Sequence, residues 1–140
     1  MRSLIIAHRG ASFHAPENTL AAFRAAAALG ADGIETDVQL TGDGKLVVHH
    51  NYTVDGSSNR SGAIARLSLA ELKTYDFGAY RGEEWAGEQI PTLSECLDNA
   101  EEFAMIDIEL KAPFDSAVPF VEPVMEDIRK TIRKAAPAAT

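Results

Sequence analysis

The chain is predicted to be an α/β protein built on a parallel sheet, and three observations carry that prediction. Apolar runs of strand length lie at residues 4–7, 33–40, 45–50 and 105–110, the first three bounded by Gly or Asp-Gly. Helical spacing and capping signals fall between and after them, and a strand, helix, strand, helix order implies parallel pairing. The 140 residues, 46% hydrophobic, suffice for the core of one ordinary domain spanning 1–140.

Leu4-Ile5-Ile6-Ala7 is a short buried strand that ends in His8-Arg9-Gly10. Pro16-Glu17-Asn18-Thr19 opens a helix, with Asn18 or Thr19 as the cap, Leu20, Phe23 and Ala27 as the buried stripe and Gly30 as the stop. Residues 33–40 and 45–50 flank Thr41-Gly42-Asp43-Gly44, a hairpin signal. A two-residue loop sets Asp37 opposite His50 and a four-residue loop sets Glu35 opposite His50. Both put Glu35, Asp37 and His50 on one face and His49 on the other, whereas a three-residue loop with a bulge swaps the histidines.

Residues 51–89 form a loop-rich insertion, in which Ser68-Leu69-Ala70-Glu71 is a capping box and Tyr75, Phe77, Tyr80 and Trp85 form a small satellite cluster. Thr92-Leu93-Ser94-Glu95 is a second capping box, for a helix reaching about Phe103. Met105-Ile106-Asp107-Ile108-Glu109-Leu110-Lys111 alternates apolar and polar residues. The following helix, from Pro119 to Lys134, carries Val121, Val124, Met125, Ile128 and Ile132 at helical spacing. Residues 135–140 are a frayed tail.

The formal charge of −8, without a Lys/Arg cluster, argues against nucleic acid as a partner. The single cysteine, Cys96, forms no internal disulfide, and no run is long enough for a membrane span, so the chain is expected to be cytoplasmic. The charged residues that interrupt strand ends are more informative. Glu35, Asp37 and Glu109 come from two separate runs and offer oxygen only, a set suited to Mg²⁺ or Ca²⁺, which would also relieve their mutual repulsion. His8 and His50 can act as acid and base near neutral pH, and Arg9 and Lys111 can hold an anion. Metal, paired imidazoles and an anion hold together point to a phosphate ester.

Five segments, His8-Arg9-Gly10, Pro16-Glu17-Asn18-Thr19, Glu35-Thr36-Asp37-Val38, the 46–48 run ending at His50, and Ile108-Glu109-Leu110-Lys111, resemble the motif series of the glycerophosphodiester phosphodiesterases. The resemblance runs from Leu4 to Lys111. It implies a (β/α)₈ TIM barrel of the phospholipase-C-like phosphodiesterases, with a divalent cation at its carboxyl-terminal mouth, hydrolysing a small-molecule glycerophosphodiester to an alcohol and glycerol 3-phosphate. It also implies His8 and His50 as acid and base, Glu35, Asp37 and Glu109 as metal ligands, and Arg9 and Lys111 as the phosphate hold. Two positions depart from the family pattern: Asn51 stands for an Asp, and Gly56 for a basic residue.

Such a barrel takes roughly 250 residues, so about its first half is expected here, with at most four of eight strands. An open half barrel leaves strand edges unpaired, and two expectations follow. Either two chains self-associate to complete each other, or the chain is a weakly active or inactive fragment that retains metal and phosphate binding.

Overall fold

A computed structural model describes residues 1–112 and 121–135. In chain order its elements are β1 (Ile6–His8), α1 (Leu20–Ala28), β2 (Gly33–Leu40), β3 (Leu46–Val48), α2 (Leu69–Leu72), α3 (Leu93–Asp98), β4 (Met105–Leu110) and α4 (Val121–Ala135). Short 3₁₀ turns at Ile64–Arg66, Ala79–Arg81 and Glu83–Trp85 punctuate the insertion. The start expected for the last helix, at Pro119, and the tail beyond 135 lie outside the described residues. Among those described, no helix is long and apolar enough to cross a membrane.

β2 is the strand on which the sheet is assembled. β1 runs parallel to its first part, pairing Ile6 with Gly33 and His8 with Glu35. β4 runs parallel along the other edge, from Gly33 opposite Met105 to Val38 opposite Leu110. β3 is antiparallel and pairs Val38 with Val48. Since Val38 already meets Leu110 on the β4 side, β3 occupies the same edge as β1. The two strands therefore approach β2 head to head, one ending at Glu35 and the other at Val38. Of the four strand runs only three are parallel members of a barrel wall; β3 is a hairpin return.

Alternation along β2 then separates core from site. Ile34 and Val38 are fully buried under α1, α3 and α4, with Phe23, Leu93, Leu97 and Val124 in one apolar cluster. Glu35 and Asp37 project to the opposite face. Gly33 permits this packing, because a side-chain carbon there would run into the Met105 carbonyl of β4.

α1 is capped by Thr19, whose hydroxyl accepts from the Ala22 amide at 3.2 Å, and Asn18 is released for another task. α3 is capped as expected by Thr92 but stops at Asp98. There the Asn99 side chain donates to the Glu95 carbonyl at 2.8 Å, an oxygen that also accepts the Asn99 amide at 3.1 Å.

The insertion builds a second cluster, of Val47, Val54, Ile64, Leu72, Phe77 and Ile90. Tyr75 packs against it, but Trp85 leaves for Ala15, Ala21 and Ala22 beside α1. Tyr80 is half exposed. The satellite is therefore mainly aliphatic rather than an aromatic group.

Candidate functional site

The carboxyl ends of β1 and β4 and the carboxyl end of the antiparallel β3 all deliver side chains to one stretch of β2. Parallel partners share a face, so His8 stands beside Glu35 and Glu109 beside Asp37. One oxygen from each of Glu35, Asp37 and Glu109 lies within 4.8 Å of the others. Asp37 is completely buried, Glu35 part-buried and Glu109 exposed.

Two cations answer these acids. The Arg9 guanidinium donates to Glu17 at 2.6 Å and its Nε lies 3.6 Å from Asp37 Oδ2. Lys111 donates to Glu109 at 2.8 Å and stands 3.8 Å from Asp37 Oδ1. Hydrogen bonding to Lys111 holds Glu109 below its ordinary pKa, and the same bond raises Lys111. Glu35 is raised, first by burial and then by the neighbouring Asp37 charge.

Four carboxylates, Glu17 included, face two permanent cations, which leaves a local deficit of two positive charges. Asp37 Oδ1 is buried without a hydrogen-bond partner. A deficit of two, an unpartnered carboxylate oxygen and an oxygen-only donor set fit a hard divalent cation.

The histidines require a correction to the hairpin. The ladder pairs Leu40 with Leu46 and closes residues 41–45 into the turn, with the Thr41 amide donating to the Lys45 carbonyl at 2.8 Å. Continued, this register sets His49 opposite Asp37, and the His49 amide donates to the Asp37 carbonyl at 2.9 Å. Thr41 and Lys45 thus flank a three-residue loop, 42–44, the alternative expected to swap the two histidines; neither the two-residue nor the four-residue loop is formed. The reason is Thr41, whose hydroxyl accepts from the Lys45 amide and holds the turn one residue wider than an Asp-Gly pair alone requires.

β3 nevertheless ends at Val48, and beyond it strand alternation no longer governs direction. His49 is buried edge-to-face on Phe77, with Nε2 3.1 Å from the Ser57 hydroxyl. His50 is left among the site groups and is one of the lesser influences that lower Glu109. His8 is largely exposed, with Nε2 3.6 Å from Glu35.

Two further residues belong to this constellation, of which the sequence marks Asn18 only as a cap candidate and motif member and Gln39 not at all. Gln39 lies on the Asp37 face, and its single amide nitrogen donates to both the His49 and Asn51 carbonyls, at 2.7 and 2.8 Å. It thereby fixes the backbone on either side of His50. Asn18 is buried and bonds Thr36 and Asp37 at once. Asn also tolerates a left-handed backbone, which Asn18 adopts at φ +55°.

The two departures from the family pattern can also be placed. Asn51 Oδ1 lies 2.8 Å from His50 Nδ1, so that nitrogen carries the proton and Nε2 is left to accept one. An amide sets the tautomer as a carboxylate would, without adding charge. Gly56 sits at φ +76°, where an L side chain is strained but has open space.

Burial pushes His49 down to about 4, so it is neutral in the folded chain at pH 7. The unfolded chain binds a proton at its ordinary value near 6.5, and stability is therefore retained above that pH and lost as pH falls toward 4. The loss is on the order of 3 kcal/mol. Urea unfolding at pH 7 and pH 4.5 should show a smaller drop in His49→Gln than in the parent chain; equal drops would exclude His49 as the source.

The family model of the glycerophosphoryl diester phosphodiesterase family matches residues 8–136. A glycerophosphodiester phosphodiesterase of Caldanaerobacter subterraneus is 50% identical over 113 residues, which are 80% of this chain and 46% of that protein. One of Bacillus subtilis is 38% identical over 120 residues, covering 80% of this chain and 41% of that protein. The chain spans about half the length of the curated relatives it matches. Among solved structures, a glycerophosphodiester phosphodiesterase of Agrobacterium tumefaciens superposes with TM-score 0.82 at 34% identity over 93% of this chain and 54% of that one. An Oleispira antarctica phosphodiesterase in complex with the product sn-glycerol-3-phosphate gives 0.78 at 34% identity, over 97% of this chain and 54% of that one.

Proposed function

Because the chain belongs to the glycerophosphoryl diester phosphodiesterase family and has the α/β fold of its TIM barrels, with part of the barrel wall present, we propose that it hydrolyses glycerophosphodiesters to an alcohol and glycerol 3-phosphate. The observation that carries this reading is the buried Asp37 carboxylate, its Oδ1 unpartnered, grouped with Glu35 and Glu109 and flanked by Arg9 and Lys111.

Glu35, Asp37 and Glu109 would hold Mg²⁺ or Ca²⁺, which when bound offsets charge developing on the phosphoryl oxygens. Arg9 and Lys111 bind the phosphate, Arg9 with its planar fork and Lys111 as a point charge. One imidazole removes the proton of the attacking water and the other protonates the departing alcohol oxygen as the P–O bond breaks. The free Nε2 of His50 suits it to the first role and the exposed His8 to the second. The insertion, through Ser57 and Phe77, buries His49 beside this pair and forms one wall.

The proposal includes self-association and cytoplasmic residence. Among the described residues β1 and β4 pair only with β2, and Leu4, Ile5, Met105 and Leu110 are exposed apolar groups beside those edges. Residence in a reducing compartment is supported by Cys96, a buried free thiol. Release of glycerol 3-phosphate from a glycerophosphodiester, followed with light scattering on the same sample, tests the activity and the assembly together. Metal-dependent turnover by an associated species is expected. A chain that binds metal yet turns nothing over in any assembly state would favour the inactive-fragment alternative.

A further inference from the structure

We propose that Asn18 is a positioning residue that aims Asp37 at the cation. The inference rests on the metal-dependent reading above and adds to it the group that orients its most buried ligand.

Thr36 and Asp37 are neighbours in β2 and point to opposite faces of the sheet. One side chain nevertheless bonds both: the Thr36 hydroxyl donates to Asn18 Oδ1 at 3.0 Å, and Asn18 Nδ2 donates to Asp37 Oδ2 at 3.0 Å. An amide can reach both faces only at an open edge of the strand. That opening exists because β1 stops opposite Glu35 and β3 ends opposite Val38 on the same edge, leaving residue 36 without a ladder partner there and residue 37 held on that side only by the His49 amide. Asn18 is threaded into this gap and is only 2% exposed.

The backbone is shaped for the purpose. Asn18 and Arg9 are the only non-glycine residues at positive φ among those described, at +55° and +60°, and the Asn18 amide donates to the Arg9 carbonyl at 2.9 Å. Two left-handed residues bonded to each other persist only where the surroundings over-determine them.

The chemistry fixes the amide's direction. A carboxylate can only accept, so Nδ2 must face Asp37, and the Thr36 hydroxyl then satisfies Oδ1. Asn18 and the Arg9 Nε at 3.6 Å both attend Asp37 Oδ2, and Oδ1 is left without a hydrogen-bond partner, in a carboxyl group of which one oxygen lies within 4.8 Å of oxygens of Glu35 and Glu109. An Asp at position 18 would set carboxylate against carboxylate. An Ala would orphan both partners and let Asp37 rotate.

Calorimetric titration with Mn²⁺ separates this role from general stability. Asn18→Ala is expected to weaken Mn²⁺ binding about 10–100-fold, the range for groups that orient metal ligands, and Thr36→Val less strongly in the same direction. In an Asp37→Asn background Asn18→Ala should weaken binding no further, since its effect runs through Asp37. Wild-type affinity in both Asn18→Ala and Thr36→Val would overturn the positioning role and leave the metal reading intact. Equal weakening with and without Asp37 would reduce Asn18 to a structural residue. A parent chain that binds no Mn²⁺ would overturn the metal reading and this role with it.

Discussion

Replacing His50 by alanine is expected to lower glycerophosphodiester turnover by about 10²–10⁴-fold, the usual contribution of a positioned acid or base. The backbone of residues 49–51 is held by Gln39 and not by the imidazole, so His50→Ala should remove the proton carrier while leaving the loop in place. His49→Ala should behave differently. It empties a buried site against Phe77 and Ser57, and the cost appears in the unfolding midpoint more than in kcat. Steady-state kinetics and urea unfolding of both variants check the pair. Wild-type turnover in His50→Ala would sink the assignment.

The second large effect is expected from Asp37→Asn. In the parent chain a cation at 100 times its Kd stabilises the fold by about 2.7 kcal/mol, visible as a rise in melting temperature that a chelator reverses. Asp37 is the most buried of the three acids and the one that lies within 4 Å of both the Arg9 and the Lys111 side-chain nitrogens. The amide removes one of the two charges the cation must balance and turns a carboxylate ligand into a weaker neutral one. At the same ion concentration Asp37→Asn should therefore show a much smaller rise with Mg²⁺ or Ca²⁺ than the parent chain. A rise equal to that of the parent chain would move the metal elsewhere.

The residues that do chemistry were legible because they are misplaced by ordinary rules. Charged groups at a period of two inside apolar runs stand out, as do paired His-Arg and His-His at strand ends. The parallel arrangement of β1, β2 and β4 was equally readable from the alternation of strands and helices.

What alternation did not supply was register. Parity was a sound argument for a tight hairpin, but Thr41 widened the turn, and the position of His50 came to depend on where β3 stops. Asn18 and Gln39 stayed hidden for the same reason. Asn18 reads locally as a helix cap, and Gln39 as a polar strand residue. Their functions arise only when segments far apart in the chain converge, which no local pattern encodes. Trp85 likewise sits in an aromatic-rich stretch yet packs on α1 alanines that the insertion reaches by a long path.

The central position of β2 has a consequence for the order in which this site comes into being. β1 and β3 close onto β2 across modest stretches of chain, whereas β4 reaches its far edge only after the whole insertion and α3, with Gly33 opposite Met105. Pairings that distant in sequence form late. During synthesis Glu35 and Asp37 are thus exposed to water before Glu109 exists to join them, and repulsion between them is relieved by solvent. On the proposed reading, a cation held by Glu35, Asp37 and Glu109 would tie β4 to β2 and act as a latch on the pairing most distant in sequence among the described strands.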